Sequence, residues 1–526
     1  MVGKEFCVAV RLQKFCAPNA FDRHIYWRLA AILRAREKDL RHLPTSSLAQ
    51  AAADAFRSAG DFAADLVNPT IRLGVTGLAR SGKTVFITAL VHNLMSGGRL
   101  PFFDAAAEGR VLRAYLEPQP DDTVPRFEFE QHLADLTGNP PRWPESTRKI
   151  SQLRIALEYK SAKFWKRQLG FDRLNIDIVD YPGEWLLDLP LLDLDYEEWS
   201  RAALEQSRVK GRRPIAKAWH QALAAIDPTA PADEALAAKL SDLFKDYLRA
   251  TRSDQYSLST LPPGRFLMPG DLEGSPALTF APLEGDASDF LKGSLGAMME
   301  RRYEAYKKLV VRPFFRDHFS RLDRQIVLID VLAALNGGAA AIADLERAMT
   351  ETLQCFRTGS NTLLSRMLAP RIDSVVLAAT KADHLHHTSH DRLEAILAAL
   401  AEKAIGRAEF AGANVKVLAL AAVRATHEGL AKKNGEKLPC IIGSPLPGET
   451  IGKRTFDGDE EFAIFPGDLP ADPKLALETI EIEADELRFV RFRPPNPVKH
   501  ASGGFAPFPN IRLDRALQAL IGDRLA

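Results

Sequence analysis

The chain has 526 residues, more than one hydrophobic core usually holds, so we expect two or three domains. Its 46% hydrophobic and 26% charged residues are typical of a soluble globular protein, and 69 basic against 68 acidic residues give no footprint of a dedicated nucleic-acid binder. Four scattered cysteines, no signal peptide pattern and no uncharged apolar run near the ~18 residues that span a bilayer predict a cytoplasmic protein with at most peripheral membrane contact.

The first half of the chain predicts an N-terminal extension followed by strands and helices. Residues 1–67 form the extension, in which 1–22 lack periodicity and 23–67 carry helical periodicity. The elements expected after it are a strand at 71–76, a helix at 85–95, a long loop at 99–146 with a short helix at 127–136, and strands at 151–159 and 174–179.

The second half predicts a helical insertion at 184–324 and then a return to alternating strands and helices. The expected elements are helices at 197–207, 213–225, 232–250, 287–321, 339–357 and 390–405, strands at 325–332, 374–380 and 415–421, hairpins and loops at 436–510, and a closing amphipathic helix at 511–525. Strands that alternate with helices favour a mostly parallel α/β sheet flanked by helices. We therefore predict one such domain, built from 68–183 and 325–526, with an all-helical domain inserted at 184–324.

A GxxxxGK[ST] motif lies between the strand at 71–76 and the next helix, which is the setting of a phosphate-binding P-loop. Its glycines let backbone N–H groups turn toward phosphates, and the helix N-terminus adds partial positive charge. Lys83 is expected to reach the β- and γ-phosphates, and the Thr84 hydroxyl to bind Mg²⁺. The predicted nucleotide contacts are Gly77, Ala79, Arg80, Ser81, Gly82, Lys83, Thr84 and Val85.

Two strands end in an aspartate that could serve the metal. Asp180 opens an Asp-Tyr-Pro-Gly sequence, and such a carboxylate holds a Mg²⁺-bound water while the Gly183 N–H meets the γ-phosphate. Asp330 also ends an apolar strand, as the Walker B acid of an ATPase does, but it lacks the following glycine and lies beyond the insertion. We rank Asp180 first and keep Asp330 as the alternative.

The sequence Thr380-Lys381-Ala382-Asp383 directly after the strand at 374–379 is similar to the base-reading [NT]KxD motif of GTPases. A carboxylate there accepts two hydrogen bonds from the guanine edge, which adenine cannot supply, and the stem of Lys381 covers the purine. A fainter signal follows the last core strand, where Ala422 and Val423 stand in place of a Ser-Ala-Lys-like turn. Thr147, shortly before the second strand, is the expected switch residue that closes on Mg²⁺ and γ-phosphate.

The order of these motifs is that of a Ras-like GTPase, and several longer strings narrow the likeness. ISQLRIALEY, VDYPGEW, VLIDVLAALN, AATKADH, AAVRAT, FPGDLP and IRLDRALQALIGDRL together resemble the YcjX family of bacterial stress-associated P-loop NTPases over roughly residues 65–526. The resemblance implies a Ras-like domain with an extra helical domain, GTP or GDP with Mg²⁺ as ligands, and a role in envelope or phage-shock-type stress. An inner-membrane protein is the partner that this role suggests.

Two residues depart from the Ras-like pattern. Glu184 stands where a water-positioning glutamine is usual, and a carboxylate there repels the γ-phosphate yet can accept a proton from the attacking water. Slow hydrolysis is therefore expected, with Lys83, Thr147, Gly183 and Glu184 as the catalytic set. Arg80, inside the P-loop, either faces solvent or a partner, which we favour, or acts as an internal arginine finger.

Four histidines follow the base-reading motif within seven residues: His384, His386, His387 and His390. Because no cysteine lies near them and the segment leads into a surface helix, the sequence favours a solvated patch over a metal site. The prediction is thus a Mg²⁺-dependent GTPase switch. The alternatives are an ATPase that uses Asp330 and a scaffold that binds nucleotide without hydrolysing it.

Overall fold

A computed structural model of the chain contains one seven-stranded sheet. The structure describes residues 69–77, 81–145, 149–162, 172–251, 262–267, 269, 272–354, 372–410, 412–433, 436–478, 489–500 and 503–526. The strands of the sheet are β1 (Thr70–Gly77), β2 (Val111–Glu117), β3 (Ser151–Tyr159), β4 (Asp172–Asp180), β5 (Arg324–Ile329), β6 (Ser374–Ala379) and β7 (Asn414–Ala419). The expected N-terminal extension at 1–67 lies outside the described residues.

The strand that precedes the P-loop motif is at the middle of the sheet, whose order is β2-β3-β4-β1-β5-β6-β7. β1 is parallel to both neighbours, with Val75 opposite Asp180 of β4 and Gly77 opposite Leu328 of β5. β5, β6 and β7 continue the parallel pairing, whereas β3 is antiparallel to β4 and β2 to β3. The predicted mostly parallel α/β sheet is confirmed, and the ends of β4, β1, β5, β6 and β7 meet at one edge.

Helices cover both faces of the sheet and also form much of the described part of the segment between β4 and β5. They are α1 (Lys83–Met95), α2 (Asp104–Ala107), α3 (Phe129–Thr137), α4 (Tyr196–Ser207), α5 (Lys217–Leu223), α6 (Glu234–Thr251), α7 (Leu295–Tyr306), α8 (Arg312–Asp317), α9 (Val331–Asn336), α10 (Ala339–Gln354), α11 (His390–Leu400), α12 (Glu402–Phe410), α13 (Pro473–Glu478) and α14 (Leu513–Ile521). Within the described residues, no helix is both long and apolar enough to cross a bilayer.

Alternating side chains of the central strands enter two separate apolar clusters. Ile326 and Leu328 of β5 pack in the cluster that includes α1 and α14, while Val327 and Ile329 pack in the cluster of α9, α10 and α11. Both faces of β5 are therefore buried, which agrees with the continuous apolar run in its sequence. The closing helix α14, predicted as amphipathic, places its apolar stripe on the sheet beside α1.

The segment between β4 and β5 has an aromatic cluster of its own. Trp199 stacks on Tyr303 with ring centroids 5.0 Å apart, and Trp219 stacks on Tyr247 at 5.4 Å. Stacked and edge-on aromatic pairs of this kind add to the free energy gained by burying their area. The segment is connected to the sheet by a 3-10 helix at Gly183–Asp193, directly after β4, and by α7 and α8, which a π-helical turn at Lys307–Val311 joins before β5.

The structure corrects several expected boundaries. The predicted loop at 99–146 contains the edge strand β2, whose exposed Leu112 and Arg113 gave only a weak strand pattern. The strand expected at 325–332 ends at Ile329, because Asp330 caps α9 by accepting a bond from the Ala333 N–H. The tail hairpin begins before 436: β8 (His427–Lys433) pairs with β9 (Glu436–Gly443), which also pairs with β12 (Phe462–Ile464), and β10 (Thr450–Ile451) pairs with β11 (Arg454–Thr455).

Candidate functional site

The connection from β1 to α1 requires glycine at two positions. A Cβ on Gly77 would lie 2.0 Å from Ser81 Oγ and 3.0 Å from the Leu328 carbonyl oxygen, so a side chain there would require Ser81 to move. Gly82, immediately before α1, has φ 82°, a left-handed conformation that costs little only for glycine. Ser81 and Thr84 are buried, and Thr88 Oγ1 donates to the Thr84 carbonyl 2.8 Å away. These constraints agree with the P-loop interpretation of the sequence.

Lys83 and Asp180 form an ion pair at the carboxyl edge of the sheet. Lys83 is the first residue of α1, and Asp180 is the last residue of β4, the strand next to β1. The Asp180 side chain is 1% exposed and that of Lys83 is 12% exposed, so the carboxylate is inside and the ammonium group lies at the rim. The sequence predicted that both residues serve one phosphate and metal site, and the structure brings them together.

Oxygen groups around Asp180 fit a Mg²⁺ ion. Ser151 stands opposite Asp180 in the antiparallel β3–β4 register, so their side chains share one face of the sheet. Its hydroxyl is buried and has no hydrogen-bond partner among the described residues. Thr84 supplies a second hydroxyl next to Lys83. Hydroxyl and carboxylate oxygens are the ligands Mg²⁺ prefers, with water filling the remaining positions.

His132 on α3 is a second buried group near this site. Both of its ring nitrogens are buried and make no hydrogen bond within the described part of the chain. Burial lowers the pKa of His132, although the nearby charges of Glu128, Asp135 and Asp180 oppose that shift. Neither His132 nor Ser151 was predicted as a site residue, because His132 lies in no motif and Ser151 was identified only as part of a strand. Only the pairing of β3 with β4 and the packing of α3 reveal them.

Asp330, the competing acid, has other partners. One carboxylate oxygen accepts the Ala333 N–H at the start of α9, and the other pairs with Lys381 Nζ. β5 also borders β1, so sheet order alone would not exclude a metal role for Asp330. Its contact with Lys381 instead connects it to the base-reading sequence, while Asp180 contacts the P-loop lysine.

The Thr380–Asp383 sequence forms the turn after β6. Thr380 N donates to the Ile329 carbonyl at 2.9 Å, and Lys381 has φ 60°, a conformation that non-glycine residues rarely adopt. The buried Asp383 accepts a 2.8 Å bond from the Ala425 N–H through Oδ2, and its carbonyl accepts a bond from the Thr426 hydroxyl. The unusual backbone conformation of Lys381 and the hydrogen-bonded carboxylate of Asp383 indicate a rigid turn, of the kind found at binding sites.

The segment after β7 lies beside this turn and supplies the bonds that hold Asp383. Ala421 exchanges two backbone hydrogen bonds with Ile511, and Arg424 N donates to the Pro509 carbonyl. Val423 is buried and Ala422 is partly buried, both beside Phe508. Asn93 of α1 in turn exchanges hydrogen bonds with the backbone of Phe508. The C-terminal segment thus joins the P-loop helix to the loop predicted to meet the base.

Gly183 begins the 3-10 helix that leads from β4 into the helical segment. Tyr181, two residues earlier, donates its hydroxyl to Gln325 Oε1 at 2.8 Å, and its ring lies 5.6 Å from Phe314 of α8. Further along the same helix, Asp188 accepts hydrogen bonds from Gly264 N and the Tyr306 hydroxyl. The Asp-Tyr-Pro-Gly sequence therefore continues directly into the helical segment and also contacts its helix α8 through Tyr181.

Four of the predicted site residues fall wholly or partly outside the described part of the chain. Ala79, Arg80 and Thr147 lie outside the described residues, as does the side chain of Glu184. Their roles as nucleotide, switch and water-positioning residues remain predictions from the sequence. Val85 is the remaining predicted contact; it lies in the first turn of α1 and packs beside Ala89.

Comparison with known proteins decides the family. Residues 71–525 match the family model described as YcjX-like family, DUF463. The chain belongs to the YcjX-like family. It is 39% identical over 471 residues to a protein of Escherichia coli (strain K12) named Ras-like GTPase YcjX, which covers 87% of this chain and 97% of that protein. A protein of the same name from Shewanella oneidensis is 33% identical over 477 residues, and the match covers 86% of this chain and 94% of that protein.

Membership in the YcjX-like family confirms the resemblance noted in the sequence and, with the sheet, the Ras-like P-loop core. The relatives' name supports a GTPase-like P-loop protein.

Proposed function

We propose that this protein is a Mg²⁺-dependent GTPase that hydrolyses GTP slowly and acts as a nucleotide-controlled switch. The observation that carries the proposal is the spacing of two anchored acids along one sheet edge. Asp180 pairs with the P-loop lysine beside β1, and Asp383 is fixed by the β7 loop after β6, two strands to the other side of β1. One extended guanine nucleotide would place its polyphosphate at the first acid and its purine at the second.

Hydrolysis in this scheme is attack of water on the γ-phosphorus. The new P–O bond forms as the bond to the β–γ bridging oxygen breaks, so GDP leaves with that oxygen and the water proton passes to phosphate or solvent. Lys83 and the loop N–H groups stabilise the charge on the β- and γ-oxygens. Thr84, Thr147 and Asp180 would hold Mg²⁺, which neutralises phosphate charge when it is bound. Gly183 N–H would sense the γ-phosphate, and Glu184 would orient the water.

Guanine selectivity follows from the Asp383 carboxylate. The guanine N1–H and N2–H₂ groups donate to a carboxylate, whereas adenine presents an acceptor at that edge and leaves the acid desolvated and unpaired. The Lys381 stem would cover the ring, with its ammonium group held by Asp330. The backbone at Ala422 and Val423 would meet guanine O6.

The output of the switch would be movement of the helical segment. Gly183 and the 3-10 helix that follows it connect the γ-phosphate position to this segment through Tyr181 and Asp188. From the family resemblance we extend the proposal to envelope or phage-shock-type stress, with an inner-membrane protein as partner. Cosedimentation with inner-membrane vesicles, compared between GTP-loaded and GDP-loaded protein, measures that step.

One set of binding and turnover measurements tests the core of the proposal. Purified protein is titrated with labelled GDP, and GTP, GDP and ATP compete for it with and without Mg²⁺. GTP and GDP are expected to compete, ATP to fail, and Mg²⁺ to strengthen GTP binding. Asp383→Asn should transfer preference from guanine to xanthine nucleotides, because the amide keeps one acceptor oxygen and replaces the other with a donor that suits the xanthine C2 carbonyl. Equal competition by ATP, or an unchanged base preference in the variant, would refute guanine recognition.

Single-turnover release of phosphate separates a switch from a scaffold. Release above the background of a Lys83→Ala control supports hydrolysis, while GTP binding without any release with excess Mg²⁺ would support the scaffold alternative.

A further inference from the structure

The four histidines after the base-reading motif separate into an inner and an outer pair. His384 is buried with its ring 5.2 Å from Phe492, and His390 is buried beside the Leu385 carbonyl. Burial lowers the pKa of both inner imidazoles. His386 is partly buried and His387 is exposed, with ring centroids 4.2 Å apart. The sequence predicted one solvated patch of four histidines. In the fold, only the outer pair is accessible to a ligand.

A carboxylate from another part of the chain completes the outer pair. Glu428, on β8, places Oε2 at 2.8 Å from His387 Nδ1 and at 3.8 Å from His386 Nε2. One possible ligand atom from each of the three residues lies within 4.8 Å of the others. In a tetrahedral site with bonds near 2.0–2.1 Å, ligand atoms are about 3.3–3.5 Å apart, so small side-chain rotations suffice.

The surroundings orient these ligand atoms. His386 Nδ1 lies 3.0 Å from Thr388 Oγ1, which leaves Nε2 directed toward Glu428, as in metal sites where a second partner fixes the imidazole. The His387 N–H donates to Glu428 Oε1 at 3.1 Å, and Arg424 lies 3.6 Å from that same oxygen. Arg424 and the backbone donor therefore contact Oε1, whereas Oε2 is the oxygen that lies next to both imidazoles.

We propose that His386, His387 and Glu428 bind one divalent first-row transition metal ion of the Zn²⁺ class, separate from the Mg²⁺ site. Two imidazoles and one carboxylate suit Zn²⁺ better than Mg²⁺, which prefers oxygen ligands. Exposed His387 leaves the fourth position open to water.

The metal would connect the two segments that hold the base-reading carboxylate. His386 and His387 follow Asp383 by three and four residues, and Glu428 follows Ala425 and Thr426, both of which donate to Asp383. An ion between them restrains the β6 turn against the start of β8 and favours the anchored form of Asp383. We therefore expect Zn²⁺ to strengthen GDP binding about fivefold or more, the lower end of usual coupling between sites. This coupling rests on the proposed function, whereas the metal site does not.

The test uses the full chain without a polyhistidine tag, free of nucleotide and Mg²⁺. Zn²⁺ is titrated calorimetrically, and Co²⁺ serves as a spectroscopic probe of the ligand field. We expect one ion per chain, and affinity reduced about tenfold or more in Glu428→Gln and in His387→Ala. His427→Ala is the matched control, because His427 is exposed and adjacent to Glu428 on β8 but outside the cluster. Circular dichroism confirms that each variant is folded.

Two results would overturn the metal site: wild-type affinity in Glu428→Gln, or an equal loss in His427→Ala. Zn²⁺ binding without any effect on GDP affinity would overturn the coupling alone. Zn²⁺ binding in a protein that binds no guanine nucleotide would leave the metal site standing and refute the proposed function, so the two failures are distinguishable.

Discussion

The ammonium group of Lys83, at the start of α1, contacts the carboxylate of Asp180, which lies 97 residues further along the chain at the end of β4. The positive charge of Lys83 compensates the negative charge of Asp180, which is almost fully buried. A bound polyphosphate would attract the same lysine. Nucleotide with Mg²⁺ offers each partner a replacement, phosphate for the lysine and a metal-bound water for the acid. In the proposed function, the pair would therefore link phosphate binding to metal binding.

Asp180→Asn should remove most of the Mg²⁺ dependence of GTP binding. The amide is a weaker ligand for water on a divalent ion, while Lys83 remains available to the phosphates. We expect Mg²⁺ to strengthen GTP binding by less than about twofold in the variant, against about tenfold or more in the wild type. Asp177→Asn is the control, since Asp177 is an equally buried acid of β4 that pairs with Arg154. Equal Mg²⁺ dependence in wild type and Asp180→Asn would contradict the assignment.

Asp330→Asn should leave turnover nearly intact. Asparagine preserves the cap of α9, so the fold is retained, and only the charge facing Lys381 is lost. We expect single-turnover phosphate release within about threefold of wild type and a modest loss of GDP affinity. A Walker B acid would behave differently: its loss costs about a hundredfold or more in rate. A loss of that size would restore the ATPase alternative.

Most proteins lose stability as the pH falls into the acid range, and we expect Asp188 to act in the opposite direction. Burial raises its pKa from 3.8 to about 6, although the Tyr306 and Gly264 bonds and the Arg265 charge act in the other direction. Between these values the folded protein keeps a proton that the unfolded chain has released, so the free energy of unfolding contributed by this group falls as pH rises, by about 3 kcal/mol in all. The contribution is complete below pH ~4 and is lost above pH ~6.

Urea unfolding of Asp188→Asn and wild type isolates this effect. Burial lowers the pKa of several histidines, among them His92, His318 and His384, so their contribution falls as pH drops below about 6.5 in both proteins. The difference between the two proteins cancels that background. We expect the variant to gain about 1–2 kcal/mol relative to wild type from pH 5 to pH 7.5. A pH-independent difference would mean that Asp188 ionises normally.

Arg212 and Asp344 should show the cost of breaking a buried ion pair between the helical segment and α10. Their side chains are 1% and 3% exposed. Asp344→Ala removes the charge that compensates Arg212 and should lower the free energy of unfolding by about 3–5 kcal/mol. Arg212→Met combined with Asp344→Leu should recover most of that loss, because an apolar pair needs no desolvation of charge.

The exposed pair Arg126–Glu130 provides the comparison for this measurement. Glu130→Ala should change the free energy of unfolding by less than about 1 kcal/mol, since solvent screens exposed charges. An Asp344→Ala effect as small as that, or a double variant no more stable than the single one, would show that the buried pair does not hold the two parts of the chain together.

The sequence alone determined the features that depend on neighbouring residues. The P-loop motif, the strand Ser151–Tyr159 and the turn after β6 are encoded by glycine placement and short apolar periods, so the order of residues is enough to locate each of them. The weak edge strand β2 could not be located in this way, because none of its side chains is fully buried and its two exposed residues, Leu112 and Arg113, are adjacent and so break the alternation of a strand.

The tertiary structure decided which distant groups meet. Asp180 and Asp330 both end strands next to β1, and only the folded chain shows that the first contacts Lys83 and the second Lys381. Glu428 joins the outer histidines from 41 residues away, a contact that no local spacing encodes. Sheet order and loop packing set these pairings, and they arise from the burial of the whole core rather than from any short stretch of chain.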